Sequence, residues 1–256
     1  MAVLEPRAFA TGVSAAVLHG LPVPHGLSHT LELAVPAPSR AVRRRGVTAR
    51  SLRITEPEVT LVHGVRVTSL SRTWCELGRT LDVPALVAAG DVAMRRIGLD
   101  RLILAARQHP DRRLHNRLAA ALALLDPASE SPKESELRAL VVLAGLPRPR
   151  ANVTLRDASG RFVARVDLLI DEFDEVLEYH GDHHRTDLRQ WRRDRTRESE
   201  IESLGYHVTE ITQADLDDPH GLIRRLESTL RRRGWTGVPI RSRWFPKPAP
   251  GDTKPA

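Results

Sequence analysis

The chain has a single cysteine, no apolar run approaching the length of a membrane span, no signal-peptide pattern at its start and no internal repeat. Each absence removes a class of protein. One thiol, Cys75, excludes an intrachain disulfide and a cysteine-rich metal site. It lies in Ser71-Arg72-Thr73-Trp74-Cys75-Glu76-Leu77, a helical pattern in which a thiol serves as a small buried hydrophobe. A helical span of the bilayer needs about 20 apolar residues, and a secretory leader needs basic, then apolar, then small residues in order. Neither is found, so the sequence predicts a soluble cytoplasmic protein. At 256 residues it suits one large or two small domains, either able to bury a core.

The net charge of +7 is unevenly placed. Residues 1–130 carry 17 Arg against 11 acidic residues, whereas residues 131–256 carry 22 basic against 21 acidic. The second half is nearly neutral yet segregated, acidic over 171–178 and basic over 185–197. Charge of this kind supports a polyanionic partner without identifying one.

Ser14 to Leu21 reads as a short helix capped by Ser14 and stopped by Gly20 and Pro22. Strand patterns follow over 30–35, 47–54 and 65–68, and from Ser71 to Leu125 the pattern is helical, with breaks at Pro84, Leu99 and His109-Pro110. A small α+β domain over 1–129 is the expectation, with a boundary in Asp126-Pro127-Ala128-Ser129-Glu130. A second domain over 130–235 opens with a helix from Ser131 to Gly145. Strands at 152–156, 162–170 and 174–180 follow, then a helix near 186–204, a strand at 206–211 and a final helix from 213 to 233. Residues 236–256 are rich in Pro, Lys and Arg without periodicity, the composition of a mobile tail.

Chemistry concentrates in the segment from Arg165 to His184. Two apolar runs, 162–170 and 174–180, are joined by Asp171-Glu172-Phe173-Asp174-Glu175, which reads as a hairpin with a solvated acidic end. With the turn centred on 172–173, Asp167 lies opposite Glu178, the two Cβ atoms about 5 Å apart on one face. Each interrupts an apolar run near its middle. Two carboxylates that close repel, and normally one protonates; a divalent cation removes the cost. The alternative is that both simply extend the solvated end.

Glu134 has a structural explanation of its own, since Ser131-x-x-Glu134 with Pro132 at the first helical position is a capping box. A catalytic role is compatible only if that helix N-terminus faces the hairpin. His180 shares its strand face with Glu178 by alternation and is placed to act as a general base or to hold a phosphate. His180, His183 and His184 together offer three imidazoles for zinc, but adjacent His183 and His184 point apart and no cysteine assists. In the next helix Arg185, Arg189, Arg193 and Arg197 recur every four residues, a stripe that either faces solvent beside acidic neighbours or tracks phosphates. Asp194 pairs locally with an arginine such as Arg197 in this reading.

Taken together, Ser-Pro-x-Glu…Leu-Arg, Ala-Gly-Leu-Pro, Val-Asp-Leu, Glu-Tyr-x-Gly-x-x-His and Asp-x-x-Arg over residues 131–230 resemble the PD-(D/E)XK restriction-endonuclease-like superfamily. The branch similar to very-short-patch-repair endonucleases is the nearest. The resemblance implies an α/β fold of order αβββαβα and a Mg²⁺- or Mn²⁺-dependent DNA endonuclease. Glu134, Asp167 and Glu178 form its acidic set, with His184 and Asp194 in supporting motif positions. Where that superfamily places lysine, two residues after the glutamate, this chain has His180. The imidazole either substitutes for the lysine, or the fold serves as a non-enzymatic nucleic-acid-binding module. Ser14-Ala-Ala-Val-Leu-His-Gly-Leu-Pro resembles the middle part of actinobacterial proteins with an antitoxin-like N-terminal domain, usually preceded by a winged helix. Only 13 residues precede the phrase here, too few for a helix-turn-helix.

Overall fold

The computed structural model describes residues 7–27, 31–41, 44–181 and 188–247, with backbone only over 188–195. It divides into two compact units, residues 1–127 and 128–256, each with helices and its own mixed sheet. Among the described residues no helix is long and apolar enough to cross a membrane.

In the first unit β1 (Phe9–Ala10), α1 (Gly12–Leu18), β2 (Leu31–Pro36), β3 (Val47–Leu52), β4 (Val59–Val62) and β5 (Val65–Thr68) lead into α2 (Leu70–Leu77). Helices α3 (Val83–Ile97), α4 (Leu99–Gln108) and α5 (His115–Leu122) complete it. The sheet order is β3-β2-β1-β5-β4, in which β1 runs antiparallel to β2 and parallel to β5. Two strands escape the sequence patterns. β1 is only two residues long, and β4 is short and follows a proline-containing 3-10 turn. The turn between β4 and β5 is His63-Gly64, both at positive φ, the tight hairpin geometry that matches strand twist.

Ser14 does not cap α1. The helix begins two residues earlier, after Thr11, and the Ser14 hydroxyl accepts the Glu32 amide at 2.8 Å. Thr11 is itself drawn into a buried polar network. Its hydroxyl and the Gly12 amide (3.0 Å) both donate to Glu76 Oε2, while Arg72 bridges Glu76 (3.0 Å) and Glu58 (2.6 Å). Gly12 is required at its φ of +53°, because a Cβ there would lie 2.0 Å from a Glu32 carboxylate oxygen. Cys75 is fully buried, and burial pushes its thiol pKa up, as a small hydrophobe in a core requires.

The second unit runs α6 (Pro132–Leu143), β6 (Arg150–Arg156), β7 (Phe162–Ile170), β8 (Glu175–Tyr179), α7 (Leu188–Ser203), β9 (His207–Ile211), α8 (Gln213–Asp217) and α9 (Pro219–Arg232). The αβββαβα order holds, except that the final helix is two. Asp218, held off the helical region by the proline that follows, breaks the run and caps α9 through the Gly221 amide at 2.9 Å. The sheet order is β6-β7-β8-β9, antiparallel except for the β8–β9 pair. Leu169, Val176 and Ile201 centre a core on one face, where α7 lies against β7 and β9.

Two expectations fail in this unit. Glu175 is not part of a solvated hairpin end. It is fully buried, taking hydrogen bonds from Thr209 Oγ1 (2.5 Å) and pairing with His207 Nδ1 (2.9 Å), and burial raises its pKa against those partners. Asp171, Glu172 and Asp174 are exposed as expected. Nor are residues 236–247 a free tail. The Ser242 amide donates to Leu143 O at 2.7 Å and Phe245 is buried. Gly145 leaves room for the Ile240 backbone, which a Cβ would approach to 2.4 Å. A few anchoring contacts suffice without periodicity, which is why composition misleads here.

Candidate functional site

The hairpin forms in the register its sequence suggests. Leu168 pairs with Leu177, Leu169 with Val176 and Ile170 with Glu175, across a 3-10 turn at Asp171–Phe173 and a left-handed Asp174. One further step of that register sets Asp167 opposite Glu178. There the backbone ladder gives way to a side chain, because the Tyr179 amide donates to Asp167 Oδ2 at 2.9 Å.

The other neighbour of Asp167 is unexpected. β6 pairs with β7 through Ala151–Leu168 and Val153–Val166, which leaves Asn152 facing Asp167. Asn152 adopts a left-handed φ of 54° within the strand, and the ladder is interrupted at that step. Asparagine is among the few non-glycine residues that tolerate this region. Its side-chain amide donates to Ala128 O (2.8 Å) and to Glu134 Oε2 (2.7 Å).

Glu134 therefore does face the hairpin. Ser131 caps α6 by accepting the Glu134 amide at 3.2 Å, but the expected capping box is only half made. The Glu134 carboxylate turns back to the Glu130 amide (3.0 Å) and to Asn152. It is buried, as is Glu178. The charges of Glu134 and Glu178 thus both act on Asp167. Burial is the main reason that the Asp167 carboxyl is pushed up to about 6. The Tyr179 amide and Arg197 oppose the rise, and the negative charges of Glu134 and Glu178 add to it.

Glu178 is held by a guanidinium fork where Asp167 accepts a backbone amide. Arg197 Nη1 and Nη2 each lie 2.6 Å from one of its oxygens, and Nη2 also donates to Arg165 O at 2.6 Å. The arginine stripe does not predict this placement. Arg197 is turned onto the sheet rather than kept as part of a solvated ridge or paired only with Asp194. An arginine is fixed beside the carboxylate pair, which the strand sequences themselves do not contain. Arg165, on the same face, pairs with Glu130.

His180 continues the β8–β9 pairing by donating its amide to Ile211 O at 2.7 Å. Its Nε2 lies 3.8 Å from Glu210 Oε1. Glu210 pairs in register with Glu178 and adds a fourth carboxylate to the same edge. Sequence reasoning missed Glu210 and Asn152. The signal for Glu210 is a charged residue next to the end of the 206–211 strand pattern, and Asn152 stands at the start of the 152–156 pattern, where a polar residue raises no question. His183, His184 and Arg185 lie outside the described residues, as do the side chains of Arg189, Arg193 and Asp194.

The donor chemistry fits a hard cation. Asp167, Glu178 and Glu134 offer only carboxylate oxygens, the ligand type of Mg²⁺ and Mn²⁺, and the repulsion that Glu134 and Glu178 exert on Asp167 is what a cation would relieve. Among the described residues no three His, Cys, Asp or Glu side chains stand ready-grouped as a metal cluster, and Arg197 holds both oxygens of Glu178.

No protein-family model and no solved structure matches the chain. Two uncharacterized proteins of Mycobacterium tuberculosis, from strains CDC 1551 and H37Rv, are similar to it, each 27% identical over 179 residues. The match covers 69% of this chain and 66% of each relative, so it spans just under two thirds of their length.

Proposed function

We propose that residues 128–247 form a Mg²⁺- or Mn²⁺-dependent DNA endonuclease that hydrolyses phosphodiester bonds. The observation that carries the reading is the convergence of Glu134 and Glu178 on Asp167, whose carboxyl is pushed up to about 6 by burial and by those two charges. A structural role alone does not call for acidic side chains from α6, β7 and β8 turned toward one another, and a strongly perturbed carboxyl such as that of Asp167 is a candidate functional group. Asp167 and Glu178 would hold the cation, with Glu134 kept at hand by Asn152. A cation bound there supplies Lewis acidity and a more acidic water. His180, partly exposed at the end of β8, takes the proton of the attacking water at Nε2, in the role that the resemblance gives to lysine.

A second reading is favoured by a specific observation. Arg197 pairs with both oxygens of Glu178, and a fold that keeps this glutamate in an ion pair serves equally as a non-enzymatic DNA-binding module. Supercoiled plasmid incubated with Mg²⁺ or Mn²⁺ separates the two. Nicking or linearisation by the wild type, lost in Asp167→Ala and on chelation, is the expected result. A wild type that retards duplex DNA in both cations without cutting it leaves only the second.

A further inference from the structure

The Arg197 fork takes one lone pair on each Glu178 oxygen, so it and a divalent cation compete for the same carboxylate. Each Glu178 oxygen accepts one Arg197 N–H at 2.6 Å, and the Glu178 side chain is only 8% exposed, so the guanidinium is its counter-charge in place of water. A cation placed there would also sit against the guanidinium charge. Arg197 itself is 36% exposed, and its planar fork fits two oxygens of a phosphodiester as well as it fits a carboxylate. The Arg165 carbonyl steadies one end of the fork.

We propose that Arg197 is a shared ligand, holding Glu178 in the cation's place when DNA is absent and passing to a backbone phosphate when DNA arrives. This rests on the reading of Asp167 and Glu178 as cation ligands. Its consequence is that cation and DNA bind with positive coupling, each raising the affinity of the other by the same factor. The site then remains closed to the cation until a phosphate draws the arginine away.

The test is a Mn²⁺ titration of the full chain, following the resonance of the free aqua ion, for wild type, Arg197→Gln and Arg197→Lys. Without DNA, Arg197→Gln should bind Mn²⁺ roughly tenfold or more tightly than the wild type, an ordinary coupling factor. Arg197→Lys, which keeps the charge but not the fork, should fall between them. A short duplex, corrected for Mn²⁺ bound by duplex alone, should tighten binding to the wild type and leave Arg197→Gln unchanged. Equal Mn²⁺ affinities in wild type and Arg197→Gln overturn the sharing of Arg197 while leaving the cation site intact. Binding by none of the three proteins overturns both. Circular dichroism melts establish that each variant is folded. If Arg197→Gln does not fold, Arg197→Lys decides, since an affinity no tighter than wild type overturns the proposal.

Discussion

Asn152 stands opposite Asp167 at a step where the β6–β7 ladder fails, and the residue that breaks the ladder there also holds Glu134. Its left-handed backbone, φ 54°, turns the side-chain amide onto Glu134 Oε2 at 2.7 Å and Ala128 O at 2.8 Å. A strained backbone position beside a candidate site is worth keeping only where the surroundings fix it. Here the Asn152 side chain ties β6 to Glu134 at the start of α6.

Asn152 therefore gives the first prediction. Asn152→Ala loses both side-chain bonds and forces an alanine into the left-handed region, and should cost about 2 kcal/mol of stability. Asn152→Gly removes the same bonds but relieves the strain, and should cost less. Urea melts of the three proteins check the order. Two variants of equal stability would mean that backbone conformation is not what Asn152 contributes.

The pH dependence of Asp167 has a definite sign. A carboxyl raised from 3.8 to about 6 on folding is more protonated in the folded chain than in the unfolded one across that window. Stability from this group is thus full below about pH 4, falls as pH rises through 6 and stays lower above it. Asp167→Asn keeps an acceptor for the Tyr179 amide and removes the titration. It should be more stable than the wild type at pH 7 by on the order of 2 kcal/mol, with the advantage vanishing near pH 4. Glu175 is raised in both proteins, so the difference between them isolates Asp167. Melting temperatures measured from pH 4 to 8 carry the test, and a pH-independent difference would refute the assignment.

Glu178 should behave oppositely, although it faces Asp167 in the same hairpin. Glu178→Gln replaces the partner of the Arg197 fork with a neutral amide, so it should lower stability by roughly 1–3 kcal/mol at pH 7. The part-exposed guanidinium keeps the loss below that of a fully buried pair. Parallel denaturation of Asp167→Asn and Glu178→Gln should give changes of opposite sign; two changes of like sign would mean that Arg197 does not distinguish the two carboxylates.

At His180 the expected chemistry is set against the resemblance. His180→Lys places an ammonium near Glu210, in the position where the superfamily carries lysine, and should keep or raise plasmid cleavage. A folded but inactive lysine variant beside an active wild type would show that the imidazole does something an ammonium does not.

DNA affinity supplies the last prediction. Anisotropy titrations should show binding that weakens by orders of magnitude from low to physiological salt, as phosphate contacts require. Arg189→Glu/Arg193→Glu should weaken it further. An unchanged affinity in the double variant removes this helix from the binding surface.

The sequence alone determined the elements of the second unit and the register of its hairpin. Strand alternation and a turn centred on 172–173 leave one pairing that keeps Leu169 and Val176 inward, and that pairing carries Asp167 to Glu178. Local patterns of this sort are read directly because strand geometry repeats every two residues. Tertiary structure alone decided which carboxylates are compensated. A four-residue arginine recurrence fixes which side chains share a helix face, yet not that Arg197 reaches across to β8. Likewise, nothing in the acidic turn tells that Glu175 lies buried under Thr209 and His207 while Asp174 remains in solvent. Burial and counter-charge come from residues far away in the chain, and these long-range contacts set the electrostatics of Asp167 and Glu178.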